Sequence, residues 1–143
     1  MLLNKNMNYG TFGKAYASSE SYVASDTRPS LLFDIKDRQN FDDLLNRFPI
    51  VVVEAWAKWC NPCKLIMPKY NDLAYDFERA FINNKIIFLK DHIEDEESIH
   101  RSEVSVVPTF FIYIHHQRFI VPSFSELRET ILTALQQIRS KSN

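Results

Sequence analysis

The sequence predicts an α/β domain in which a central mixed sheet of about five strands carries helices on both faces. Three observations point to it. Apolar runs of strand length alternate with segments of helical period from Leu31 onward. One of these runs, Ile50-Val51-Val52-Val53-Glu54-Ala55-Trp56, is nearly unbroken and rich in β-branched residues, as a central strand covered on both faces requires. Close to the C-terminus, two apolar runs are separated by a short polar turn, so the sheet ends in an antiparallel hairpin.

The elements follow in order. Residues 1–28 are rich in Asn, Ser and Tyr, lack a period and hold both glycines, Gly10 and Gly13, so they read as an N-terminal extension to a domain over 29–143. Leu31 to Ile35 is the first strand, and Asp37 caps a helix with Phe41, Leu44, Leu45 and Phe48 on one face. Pro49 stops it, and the central strand Ile50 to Trp56 follows. A long helix is expected from Asn61 to Phe81, with Ile66, Met67, Tyr70, Leu73, Ala74 and Phe77 at helical spacing and Pro68 as an interior break in its hydrogen bonding. Asn83-Asn84 ends it, because asparagine tolerates the left-handed conformation. Ile86 to Lys90 is a further strand, and the acidic run Glu94 to Glu97 reads as the first turn of a short helix. Phe110 to Ile114 and Arg118 to Val121 form the hairpin around His115-His116-Gln117. Ser123 and Glu126 have capping-box spacing ahead of a last helix striped by Leu127, Ile131, Leu135 and Ile138.

Composition narrows the function. The chain has 17 basic and 18 acidic residues, with no basic excess to recruit nucleic acid or an anionic membrane. No apolar run reaches the roughly 20 residues of a membrane span, and the first residues lack the apolar core of a secretory signal. The expectation is a cytoplasmic monomer.

Both cysteines of the protein lie in Trp59-Cys60-Asn61-Pro62-Cys63-Lys64, at the junction of the central strand and the long helix. Two cysteines with this spacing in an intracellular chain suggest redox or metal chemistry. A zinc site needs four ligands, so it would have to recruit His92, His100, His115 or His116, or a second subunit. A solvated or turn role suits these histidines better. For redox chemistry the position is favourable. At a helix start, free backbone N–H groups stabilise the Cys60 thiolate, while Cys63, a turn further on, is placed to close a disulfide back onto it. Pro62 lies in the first turn, where no hydrogen bond is lost. Glu54, an ionisable group inside an apolar strand, is costly there without a purpose or a partner.

Trp59-Cys60-Asn61-Pro62-Cys63-Lys64 resembles the active-site signature of the thioredoxin family. The similarity runs from Leu31 to Ser140: Pro68 matches the family's helix-kinking proline, Lys90 a lysine at the end of its third strand, and Val107-Pro108-Thr109 its cis-proline loop. The resemblance implies a thioredoxin fold and thiol-disulfide exchange without a bound cofactor or metal. Cys60 would be the nucleophile and Cys63 the resolving thiol. Glu54 stands where the family commonly has a buried aspartate that helps to deprotonate the second cysteine, with Lys90 partly offsetting its raised pKa. Trp59, Asn61, Pro62, Val107 and Pro108 would meet the substrate, with Trp59 and Val107 flanking an exposed sulfur. The implied partners are disulfide-containing proteins and a reductase or dithiol donor. Asn-Pro between the cysteines, in place of the family's usual Gly-Pro, and the absence of its customary glycines leave substrate choice and potential open. The alternatives are a binding or adaptor module on the same fold and a disulfide isomerase or oxidase.

Overall fold

Strand β2, Ile50–Trp56, is the centre of the molecule: it pairs with β3 (Ile86–His92) on one side in parallel and with β4 (Thr109–Ile114) on the other in antiparallel fashion. The computed structural model describes residues 27–142. Its five-stranded sheet has the order β1-β3-β2-β4-β5, with β1 (Leu32–Asp34) parallel to β3 and β5 (Gln117–Val121) antiparallel to β4. Alternate side chains of the strands feed two cores. Ile50, Val52, Phe88 and Ile112 pack under helices α2 (Asn61–Asp76) and α4 (Leu127–Ser142), against Tyr70, Leu73, Leu127 and Ile131. Val51, Val53, Leu89 and Phe111 pack under α1 (Arg38–Arg47) against Phe41. Both faces of β2 are buried, which explains its nearly continuous apolar run.

Asp37 caps α1 by accepting the Asn40 N–H at 2.8 Å. Asn84 takes a positive φ of 57°, as its place before β3 anticipates. The hairpin turn needs positive φ at both central residues, 48° at His115 and 71° at His116, and the chain meets that need without glycine. Of the expected extension, residues 1–26 lie outside the described residues; Arg28 is paired with Asp72 on α2 at 2.8 Å.

The structure corrects several expectations. The long helix is two: α2 stops at Asp76, and a short α3 (Glu78–Ile82) follows Phe77, whose φ of −110° breaks the ladder. Phe77 stacks on Phe88, so tertiary packing sets the break. Pro68 lies within α2, as expected. Glu94 to Glu97 forms turns, not a helix start, and only a 3-10 turn at Arg101–Glu103 follows. The capping box does not form. Ser123 begins a 3-10 turn (Phe124–Glu126) and its hydroxyl meets the Glu126 carboxylate at 3.2 Å instead of a backbone N–H.

Candidate active site

The dithiol stands where β2 hands over to α2. Cys60 is the N-cap residue of α2, and its Sγ accepts the Cys63 N–H at 3.1 Å, with Asn61 and Pro62 filling the first turn. A proline costs nothing here, because the first N–H groups of a helix have no partner within it. The two sulfurs are joined as a disulfide, with the Cα atoms 5.3 Å apart. In this oxidised state Cys60 is only 3% exposed and Cys63 fully buried, which corrects the expectation of an exposed sulfur. The pair packs with Ala57 against Trp56, Ile93 and Val107.

The second wall comes from far along the chain. The Val107–Pro108 peptide bond is cis, and the Val107 carbonyl oxygen lies 3.6 Å from Cys60 Sγ. Thr109 Oγ1 donates to the Val106 carbonyl at 2.6 Å and closes the loop. In the two segments that meet at the disulfide, Trp59 is 70% and Val106 69% exposed, so each carries bare apolar surface. Val107 is half-buried, while Asn61 and Pro62 are exposed.

Below the dithiol, Glu54 shares the sheet face of Ile50 and Val52, the side covered by α2. It is completely buried and neither carboxylate oxygen has a hydrogen-bond partner. Burial pushes its pKa from 4.5 up to about 8, and the charge of Lys90 opposes that rise. Lys90 is the register partner of Glu54 on β3, and its ammonium lies 3.5 Å from Asp34 Oδ1. Tyr70 of α2 donates to the Leu89 carbonyl at 2.9 Å. Its own pKa is driven far upward by burial and by the negative charge of Glu54.

Two sets of residues have partners that the sequence did not predict. Glu94 Oε1 accepts the Lys58 N–H and meets His92 Nε2, both at 2.8 Å, so the acidic run reaches back to the loop just before Cys60. The His92 ring stacks on Trp56 with centroids 4.5 Å apart. His100, expected to be solvated, is fully buried and bonded to Asp91 and Tyr113. Asp91 lies near the end of β3 as Glu54 interrupts β2, a carboxylate in a mostly apolar strand, and that was the available signal. Among the described residues no cluster of His, Cys, Asp and Glu can hold a metal ion, and no helix is long and apolar enough to cross a membrane.

Comparisons with known proteins agree with this geometry. The thioredoxin family model matches residues 33–137. Thioredoxin from Coprinus comatus is 28% identical over 109 residues, which cover 76% of this chain and 94% of the relative. Thioredoxin from Neurospora crassa is 35% identical over 80 residues, 55% of this chain and 61% of the relative. The solved structure of thioredoxin f from spinach chloroplast (short form) superposes with a TM-score of 0.60 at 25% identity, over 73% of this chain and 94% of that one. A mixed five-stranded sheet flanked by helices, a disulfide of C-x-x-C spacing at a helix start, and a family match over most of the chain have one common reading: the chain has the thioredoxin fold and belongs to the thioredoxin family of thiol-disulfide oxidoreductases.

Proposed function

We propose that the protein works as a reductant of protein disulfides. The Cys60 thiolate attacks one sulfur of a substrate disulfide, forming a mixed disulfide and expelling the other substrate sulfur as a thiolate that takes a proton from solvent. Cys63 then loses its proton with the help of the ionised form of Glu54, which is populated as pH approaches about 8, and attacks Cys60 Sγ. The substrate's second thiol leaves reduced, and the Cys60–Cys63 disulfide of the described state remains. A reductase or a small dithiol returns two electrons to close the cycle. Lys90 tunes the proton affinity of Glu54, and Trp59, Asn61, Pro62, Val107 and Pro108 hold the substrate chain.

The observation that carries this is the position of Cys60 Sγ. It caps α2, so the unsatisfied N–H groups and the dipole of the helix favour its thiolate. It also lies beside a backbone carbonyl of an extended loop that can pair with a substrate strand. In an insulin-reduction assay, Cys60→Ser should abolish turnover and Cys63→Ser should trap the mixed disulfide; full activity in Cys60→Ser overturns the assignment. Direction is read from the potential of the couple. A value near about −270 mV belongs to a reductant working in a reducing compartment such as the cytoplasm, and one between about −180 and −120 mV to an isomerase or oxidase.

A further inference from the structure

Between β3 and β4 the chain from Ile93 to Val107 has little regular structure, yet it meets the dithiol loop at both ends. Near its start Glu94 holds the Lys58 N–H, and at its end Val107 lies against Cys60. The midpoint is pinned by a buried polar cluster on the α1 side of the sheet. Asp91 Oδ2 accepts from the backbone N–H of Ile99 at 3.1 Å and of His100 at 2.8 Å, and it meets His100 Nδ1 at 2.7 Å.

An ionised carboxylate only accepts, so Nδ1 carries the proton toward Asp91, while Nε2 meets the Tyr113 hydroxyl at 2.7 Å. The ionised form is favoured: burial raises the Asp91 pKa, but the hydrogen bonds from His100 outweigh it and hold the group below the usual carboxylate range. The imidazole is sandwiched as well, stacked on Phe111 at 4.4 Å and met edge-on by Phe41 at 5.6 Å.

From His100 the chain is guided directly to the cis-proline loop. The Glu103 N–H bonds to the His100 carbonyl at 2.9 Å, the Glu103 carboxylate pairs with Arg118, and Val104 packs into the same core. Only residues 105–107 then remain before Pro108. An apolar side chain would fill the place of His100 at less desolvation cost, but it would not select one orientation of the segment.

We propose that Asp91, His100 and Tyr113 form a positioning unit that sets how Val107 and Pro108 are presented beside Cys60, and thereby how tightly a protein disulfide is held for attack. This rests on the thiol-disulfide function above. None of the three residues touches a sulfur; they act through the loop. A small disulfide needs only the Cys60 thiolate, whereas a polypeptide also needs the loop's backbone groups.

The two kinds of substrate therefore separate the roles. Full-length wild type, Tyr113→Phe and His100→Phe are compared in the reduction of insulin and of a small aromatic disulfide. Tyr113→Phe removes one hydroxyl and keeps the ring, so its KM for insulin should rise roughly 2- to 10-fold, the worth of one buried hydrogen bond, with kcat unchanged. The rate with the small disulfide should stay within about twofold of wild type by the same arithmetic. His100→Phe should show a larger effect of the same kind, and if it does not fold, Tyr113→Phe decides. An unchanged insulin KM in folded Tyr113→Phe overturns the proposal, as does an equal loss on both substrates. A wild type that reduces neither disulfide overturns the thiol-disulfide function and the positioning role together, whereas normal wild-type turnover with an unmoved KM removes the positioning role alone.

Discussion

Glu54 and Lys90 are register partners across β2 and β3, yet the lysine's ammonium lies 3.5 Å from Asp34 while neither oxygen of Glu54 has a hydrogen-bond partner. The lysine therefore acts on Glu54 only through its field. Burial wins, and the glutamate titrates near 8 in the folded protein against 4.5 ordinarily. Below pH 4.5 it is protonated whether the chain is folded or not, and contributes nothing to the pH dependence of stability. Between 4.5 and about 8 the unfolded chain releases the proton while the folded one keeps it, so stability falls as pH rises and then levels off. The slope reaches at most about 1.4 kcal/mol per pH unit. Glu54→Gln removes this loss. Urea unfolding of the oxidised protein should show the variant gaining on wild type from pH 5 to pH 8.5, by a few kcal/mol, that slope taken over the interval up to the folded pKa of about 8. Parallel pH profiles for the two proteins would contradict the buried, partnerless carboxylate.

Glu94 ties the loop before Cys60 to the end of β3 through the Lys58 N–H and His92. The Lys58 N–H, and after it His92, hold its carboxylate below the ordinary range. A depressed acid contributes above its unfolded pKa and loses that contribution as pH falls through the folded value. Glu94→Gln keeps an acceptor oxygen and loses the charge. The Lys58 amide should then exchange with solvent roughly 2- to 10-fold faster, the worth of a weakened hydrogen bond. Acidifying wild type should have the same effect once the intrinsic exchange rate is divided out. Equal protection in the two proteins would mean that the hydrogen bond does not order the loop.

His115 and His116 occupy a two-residue hairpin turn at φ of 48° and 71°, where side chains with a Cβ are strained. Replacing the pair by Asn-Gly should raise stability by roughly 0.5–2 kcal/mol, read as a higher urea midpoint with an unchanged slope. The backbone bond from the His115 N–H to the Pro49 carbonyl, 2.8 Å, survives that exchange. A lowered midpoint would show that the imidazoles make compensating contacts.

What could be read from the sequence depended on whether its cause was local. Strand β2 spans Ile50–Trp56 as expected, because a β-branched run between Pro49 and the dithiol admits little else. The Cys60 cap and the positive φ at Asn84 follow from neighbouring residues and were likewise legible. Glu54 stood out as the one carboxylate inside an apolar run. The break at Phe77 was not legible, since Phe77, Ala80 and Phe81 continue the helical pattern and the ring is placed by packing against other elements, Phe88 among them. Glu94 looked like a helix start because its partner, the Lys58 N–H, is distant in sequence. His100 had no visible role until the sheet brought Asp91 and Tyr113 to its two ring nitrogens.

The cap of α2 is also the atom that changes oxidation state. Because Cys60 Sγ accepts the Cys63 N–H, each turnover alters the charge seated on the start of the helix. Whatever the first turn does for the thiolate, the thiolate does for the fold, since the two effects are arms of one thermodynamic cycle. The gap between the couple's potential in the folded and in the unfolded chain is therefore written in the difference between the unfolding free energies of the reduced and oxidised protein. For a two-electron couple about 30 mV corresponds to about 1.4 kcal/mol. A substitution at the exposed Asn61 that stabilises one folded form over the other thus moves the potential relative to that of the unfolded chain, and denaturation curves of the reduced and oxidised forms of wild type and variant read the shift.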